Sequence, residues 1–216
     1  MKLLRLIQVF LSLRKSGIFY LFIDNFNPLV KPLKKPDNIE NNFKRTLESL
    51  GPFFIKFGQL LSTRTDLITL ELAKELRNLT DNCEPVDFSY IKNQINDGLG
   101  SRAKKILDNI EEEPIASASL AQVHKLKLDD KDLVIKVQKP GLLNLIDRDI
   151  SALHLGIKLL RFIYKGYPRV NLENLLNSYE KVIKNELDFR IEAASAKKTF
   201  ENFDGNQLLY VPKIED

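Results

Sequence analysis

Between Asn109 and Gly141 the residue pattern of this chain changes from helical to strand-like. Gln122 to Leu128 and Asp132 to Val137 are two short strand patterns flanking Asp129–Asp130–Lys131, which reads as the turn of a hairpin. A shorter strand-like run, Glu113 to Ala116, precedes them, and Pro140–Gly141 punctuates the exit. Before Asn109 the chain reads as helix throughout, and two long helical patterns follow, about Leu142 to Tyr164 and Leu172 to Phe203. A few short strands among many helices can close only a small antiparallel sheet, with helices covering it in an α+β arrangement. Asp204–Gly205–Asn206 reads as a turn, and Gln207 to Val211 as a last strand.

The helical first half has its own punctuation. Asn38 to Leu50 predicts a helix that Gly51–Pro52 breaks, with Pro52 starting the next one over Pro52 to Arg64. A third is expected near Leu70 to Leu79, ended by Asn82–Cys83–Glu84–Pro85. Phe88 to Leu99 and Ser101 to Leu107 complete the set. The sequence therefore divides into residues 1–36, an arm and linker; residues 37–108, a helical extension; and residues 109–216, the part that contains the sheet.

Charge is unevenly placed. The net charge of +4 includes +6 from Met1 to Pro36, where seven basic residues face one acid, so the remaining residues sum to −2. The basic character thus belongs to the arm and not to a nucleic-acid patch on the body. Leu3, Leu4, Leu6, Ile7, Val9, Phe10, Leu11 and Leu13 make the arm apolar as well, but no run reaches the roughly 18–20 residues that span a bilayer. Two readings stay open: a helix lying on an anionic membrane surface, or a helix packed on the protein's own body with a solvated basic face. Asn27 to Asp37, with three prolines and three lysines, reads as a linker. A single cysteine, Cys83, allows no intrachain disulfide and fits a reducing compartment. His124 and His154 have no Cys/His cluster near them for a structural zinc site.

Four segments could carry chemistry. Alternation puts Leu133, Ile135 and Val137 on one face of their strand and Val134, Lys136 and Gln138 on the other. Lys136 is then either a wet-face lysine or a lysine that grips nucleotide phosphates and pairs with a helical glutamate. The loop Pro114 to Ser119 sits where a kinase carries its phosphate-covering glycines, yet Ala116, Ser117, Ala118 and Ser119 lack glycine's freedom at positive φ. On the helix after Leu172, Glu186 falls in an apolar row with Tyr179, Ile183 and Phe189, while Asp188 and Glu192 share a neighbouring face and repel. The blander reading pairs Glu186 with Arg190 and leaves the acids solvated. Finally, Phe53 to Leu61 is apolar nearly all round, with Lys56, Gln59 and Thr63 as one polar strip. Gly58 inside that helix costs about 1 kcal/mol relative to Ala, which points to close approach of a backbone or ligand, or to a tight helix–helix contact.

In this order and spacing, the four segments resemble the UbiB/ADCK family of atypical kinase-like proteins. Phe54-Ile-Lys-Phe-Gly-Gln-Leu-Leu-Ser-Thr-Arg-Thr-Asp66 is similar to its Lys-x-Gly-Gln signature, and Pro114-Ile-Ala-Ser-Ala-Ser-Leu-Ala-Gln-Val-His124 to its alanine-rich loop. Val134-Ile-Lys-Val-Gln-Lys-Pro-Gly141 resembles the strand-lysine segment, and Glu186-Leu-Asp-Phe-Arg-Ile-Glu-Ala-Ala-Ser195 the Glu-x-Asp helix. The resemblance implies a kinase-like N-lobe behind a helical extension, without the C-lobe. It implies ATP or ADP with Mg²⁺ as cofactor, Lys136 paired with Glu192, and Ala116 to Ser119 over the phosphates. Lys56, Gly58, Gln59, Glu186 and Asp188 would regulate access to that site. It also implies work in ubiquinone (coenzyme Q) biosynthesis, in the cytoplasm on the inner membrane of a bacterium, or facing the mitochondrial matrix in a eukaryote.

The departure is that no His-x-Asp run with a following Asn, and no Asp-Phe-Gly, occurs in the sequence. No complete catalytic set and no metal ligands are therefore expected here, and the chain alone should not transfer phosphate. A separate C-lobe polypeptide, membrane lipid or components of the ubiquinone pathway are the expected partners, and nucleic acid is not. The competing reading is a non-catalytic membrane-surface module or the remnant of a shortened gene.

Overall fold

The computed structural model describes residues 2–22, 35–79, 83–163 and 171–215. Tertiary contacts divide the chain into two units, Met1–Tyr167 and Pro168–Asp216.

The first unit opens with α1 (Lys2–Ser16), the short α2 (Phe19–Phe22), α3 (Ile39–Leu50), α4 (Pro52–Ser62) and α5 (Leu70–Leu76). Asn38 caps α3 by accepting the Asn41 N–H, and Thr69 caps α5 by accepting the Leu72 N–H. Gly51 both ends α3 and starts α4 at φ +104°, a backbone setting that side chains disfavour, and Pro52 follows at the first helical position. α1 packs on α3 and on α8 (Leu142–Ile163), and α3, α4 and α5 pack on one another. Their shared core includes Leu47, Phe53, Leu72 and Leu76, all nearly inaccessible. Each such side chain contributes about 1.5–3 kcal/mol.

Every residue of α4 is at least partly covered, which agrees with its all-round apolar sequence. α5 stops at Leu76, short of the expected Leu79, and the Asn27–Asp37 linker lies outside the described residues except for Lys35 to Asp37.

A second, smaller core lies under the sheet. α6 (Phe88–Leu99), a single 3-10 turn (Gly100–Arg102) and α7 (Ala103–Leu107) precede β1 (Ile110–Ser117), β2 (Ala121–Leu128) and β3 (Lys131–Gln138). The strands are antiparallel in the order β1-β2-β3. Asp129 and Asp130, both at positive φ, form the two-residue turn that the β2–β3 register requires. Val137 and Ile135 point down onto Ile91, Ile95 and Ala103, as the alternation predicts. β1 is longer than the Glu113 to Ala116 run, because register shifts between Ile110 and Ala116 let an irregular sequence stay paired.

The second unit holds α9 (Leu172–Leu187) and α10 (Phe189–Asn202). The expected single helix from Leu172 to Phe203 is broken at Asp188. Its ψ of 90° leaves the helical region, and its carboxylate accepts the Arg190 N–H to cap α10. α9 buries Leu176, Tyr179, Ile183 and Leu187 as one stripe, whereas α10 buries no residue fully. The expected strand Gln207 to Val211 does not form. Its alternation has no ladder partner among the described residues, and Leu208 and Tyr210 stand 98% and 89% exposed.

Candidate functional site

The alanine–serine segment and the strand lysine come together on the sheet. Ala116 pairs with Val123, and Val123 with Lys136, so the three form one cross-strand row with side chains on one face. That is the open face: Lys136, Ala116 and Lys125 are exposed, as is Val134. Ala116 leaves room there that a longer side chain would fill.

The segment Pro114 to Ser119 is not a free loop. β1 runs through Ser117, and the connection to β2 is the tight turn Ala118–Ser119–Leu120, closed by the Ala118 N–H donating to the Ala121 carbonyl at 2.8 Å. Ser117 pairs with Gln122 and so belongs to the opposite face from Lys136, while Ser119 is 1% exposed. The Ser117 hydroxyl is buried without a hydrogen-bond partner.

The chain between α5 and α6 braces this hairpin. The Cys83 N–H donates to the Ser117 carbonyl at 3.0 Å, and the Val86 N–H to the Gln122 side chain. The Lys139 amine donates to the Glu84 carbonyl at 3.1 Å. Partial burial lowers the Lys139 amine from its ordinary value, against an opposing influence of Cys83. His124 is wholly buried: its Nδ1 meets the Glu111 carbonyl at 2.9 Å, and its ring lies 5.6 Å from that of Phe88. It is a core histidine.

The Lys-x-Gly-Gln helix reaches the same segment from the other side. The Gln59 amide donates to the Leu79 carbonyl at 3.2 Å. Leu79 and Cys83 are four residues apart, so their Cα atoms are at most about 14 Å apart. Gln59 and the alanine–serine hairpin thus hold the two ends of one short span. Gly58 meets the side chains of neighbouring helices and of the segment after α5: a Cβ there would collide with Leu79 Cδ1 and lie 2.6 Å from Leu47 Cδ1. Lys56 is half-buried on the same helix.

In the second unit, Glu186 is exposed and stands outside the buried stripe of α9, which corrects its placement in an apolar row. The reason is that the buried face of α9 runs through Leu176, Tyr179, Ile183 and Leu187 and leaves the neighbouring positions Val182 and Glu186 exposed. Arg190 does not fold back on Glu186 but forks Asp188, with two contacts of 2.7 Å. Hydrogen bonds from Arg190 hold the Asp188 carboxyl below its usual range. Burial, with a smaller push from Glu186, raises the Tyr179 hydroxyl well above the ordinary phenol range. Glu192 is exposed in the first turn of α10.

One buried polar cluster has no counterpart in the sequence reading. Arg5 of α1 is forked by Asp149 of α8, at 2.6 Å from Nε and 2.9 Å from Nη2. Nη2 also donates to the Leu50 carbonyl at 2.6 Å, and the guanidinium carbon sits 5.6 Å from the centre of the Phe54 ring. Arg5 therefore joins α1, the end of α3, the start of α4 and α8. A signal was present: Arg5 is four residues from Val9, and Asp149 lies between Ile146 and Ile150, so each charge sits on an apolar helix face.

Among the described residues no three His, Cys, Asp or Glu side chains cluster as a metal set, and no helix is long and apolar enough to cross a membrane. The site shows a lysine on an open sheet face beside a small residue, which suits an anionic group.

Known proteins resemble this chain. The chain is 40% identical over 169 residues to the probable protein kinase UbiB of Pseudomonas entomophila, covering 78% of this chain and 32% of the relative. It is 38% identical over 184 residues to that of Pseudomonas putida, covering 84% and 34%, and 37% identical over 179 residues to that of Vibrio atlanticus, covering 81% and 32%. It thus spans about a third of the length of these relatives. A solved Mycobacterium tuberculosis protein, determined as a complex with erythromycin, shares the fold at TM-score 0.54 and 22% identity, over 61% of this chain and 33% of its own. Residues 78–216 match the ABC1 atypical kinase-like domain, and the chain belongs to that family.

Proposed function

We propose that this chain supplies the phosphate-holding half of an ATP- or ADP-using site in a UbiB-type protein that supports ubiquinone biosynthesis. The observation that carries the proposal is the cross-strand row Ala116–Val123–Lys136, which sets an amine beside a small residue on an open sheet face. A lysine there is a point charge suited to nucleotide phosphates, and Ala116 lets a ligand approach the backbone. Glu192 is its proposed acidic partner, while Lys56, Gln59, Glu186 and Asp188 control access. A nucleotide would supply the transferable phosphoryl group. The groups that hold Mg²⁺ and position an attacking oxygen belong to the other two thirds of a UbiB-length protein, so this half alone binds weakly and does not turn over.

A titration of ATP and ADP, with and without Mg²⁺, tests this on wild type and Lys136→Ala. Weak binding that the substitution removes is expected. Binding unchanged by Lys136→Ala would refute the assignment, and micromolar affinity from this chain alone would show that the share given to the rest of the protein is too large.

A second reading is favoured by α1. Leu3, Leu4, Ile7, Phe10 and Leu11 remain exposed on the face opposite the buried Arg5 and Val9. We propose that this face holds the protein peripherally on an anionic membrane, where the pathway's lipid substrates reside. Loss of salt-sensitive vesicle binding in Leu4→Glu with Leu11→Glu, both exposed, is the expected result, and binding that persists in that variant would overturn it.

A further inference from the structure

Resting on that membrane reading, we infer that the lipid-facing surface has two helices: the exposed face of α1 and the last turns of α8. The two helices pack together, and Leu6 of α1 fills the space beside Gly156 of α8, where a Cβ would lie 2.8 Å from Leu6 Cδ1. Within the two turns after Gly156, Leu159, Leu160 and Phe162 are 41%, 48% and 87% exposed. They lie on the helix that α1 packs against, just beyond its Gly156–Leu6 contact. Exposed side chains of this size in such a group mark an interaction surface.

Charge selects the occupant. Residues 2–22 contain no acid, and from Ile150 to Phe162 there is none either. The charged residues of the two segments outside the buried Arg5 are Lys2, Arg14, Lys15, Lys158 and Arg161, all cationic. In a chain whose other parts carry net negative charge, that one-sided arrangement matches an anionic phospholipid surface. A second copy of this chain would set like charges against like. The inference goes beyond a basic arm: α8 also anchors Asp149, the partner of Arg5, so the lipid contact and the brace of the Lys-x-Gly-Gln helix share one helix pair.

The test is co-sedimentation of the full chain with vesicles of phosphatidylcholine alone and of phosphatidylcholine with phosphatidylglycerol. Wild type is expected to bind the anionic vesicles only. Lys158→Ala with Arg161→Ala, at exposed positions and with the circular-dichroism melt as a control for folding, is expected to weaken binding about 10- to 30-fold, at roughly 1 kcal/mol per cation near an anionic surface. Leu160→Glu with Phe162→Glu is expected to abolish it while the circular-dichroism melt is unchanged. If Leu4→Glu with Leu11→Glu abolishes binding but both α8 variants bind like wild type, the two-helix surface is wrong and the α1 reading survives. If wild type ignores anionic vesicles, or forms a stable dimer through this face instead, both readings fall.

Discussion

At the residue scale, the buried pair Arg5–Asp149 is the most consequential contact outside the site. Both side chains are almost inaccessible, at 8% and 1% exposure, and the pair holds its charges with the Leu50 carbonyl as a further acceptor. Removing one partner strands the other charge in the core, which typically costs about 3–5 kcal/mol. Asp149→Ala is therefore expected to lower the urea midpoint by the equivalent of about 3 kcal/mol, the low end because Arg5 keeps the Gln8 side chain and the Leu50 carbonyl as acceptors. Arg5→Met combined with Asp149→Leu should recover much of that loss, and a double variant as unstable as Asp149→Ala would show that the pair is not the cause.

Asp188 gives a pH-dependent counterpart. Its folded carboxyl lies below the ordinary value because Arg190 hydrogen-bonds the ionised form. A lowered folded value means the contribution to stability is present above the unfolded range and disappears as pH falls through the folded one. The difference in helix signal between wild type and Asp188→Ala should shrink as pH falls from about 5 toward 1. A difference constant over that range would assign the whole effect to the N-cap geometry. Local chemistry of this kind was partly legible in sequence. The face of Lys136 follows from period two, and Asp129–Asp130 from turn preference. Arg5 and Asp149 are 144 residues apart, and nothing local announces their meeting.

At the element scale, α4 shows why glycine sits at position 58. The space that a Cβ would need is filled by Leu79 and Leu47, 4% and 1% exposed, so Gly58 allows α4 to close on its helical neighbours. Gly58→Ala gains about 1 kcal/mol of helix propensity but overpacks the core, at about 1–3 kcal/mol. A net loss of up to about 2 kcal/mol in chemical denaturation is expected, because both leucine methyls must move within a filled interior. An alanine variant more stable than wild type would mean that the leucines relocate freely. Gly58→Ala with Leu47→Val should be milder than the single change if the steric account holds.

Elements whose signals are local were readable. α6 matches its expected span because Asp87 caps it, accepting the Ser89 N–H, and its apolar positions repeat at helical spacing. The break at Asp188 was missed because the apolar positions continue across it, and the competing cap bond depends on one side chain turning back on the backbone. The failed strand at Gln207 to Val211 shows the opposite error: alternation states which face would be buried, but only a neighbouring ladder makes a strand.

At the scale of the whole molecule, what the chain can do depends on how much of the machinery it holds. Phosphoryl transfer is mostly positioning and charge stabilisation, and those terms collapse when the groups that hold the metal and the attacking oxygen are missing. This chain covers about a third of its UbiB relatives, and the lysine row on its sheet would form one side only of the proposed phosphate site. It should therefore show no ATP hydrolysis above background by itself. Adding the remaining two thirds of a UbiB relative as a separate polypeptide should bring hydrolysis above the sum of the two parts. Lys136→Ala in this chain should then abolish the gain, and Glu192→Gln should reduce it, while neither changes the melting of the chain alone. The exposed lysine and the exposed glutamate carry little packing, so a loss of activity without a loss of stability separates a ligand-holding role from a structural one. If the combined polypeptides hydrolyse ATP equally well with Lys136→Ala, the open sheet face does not hold nucleotide and the kinase-like fold serves another purpose here.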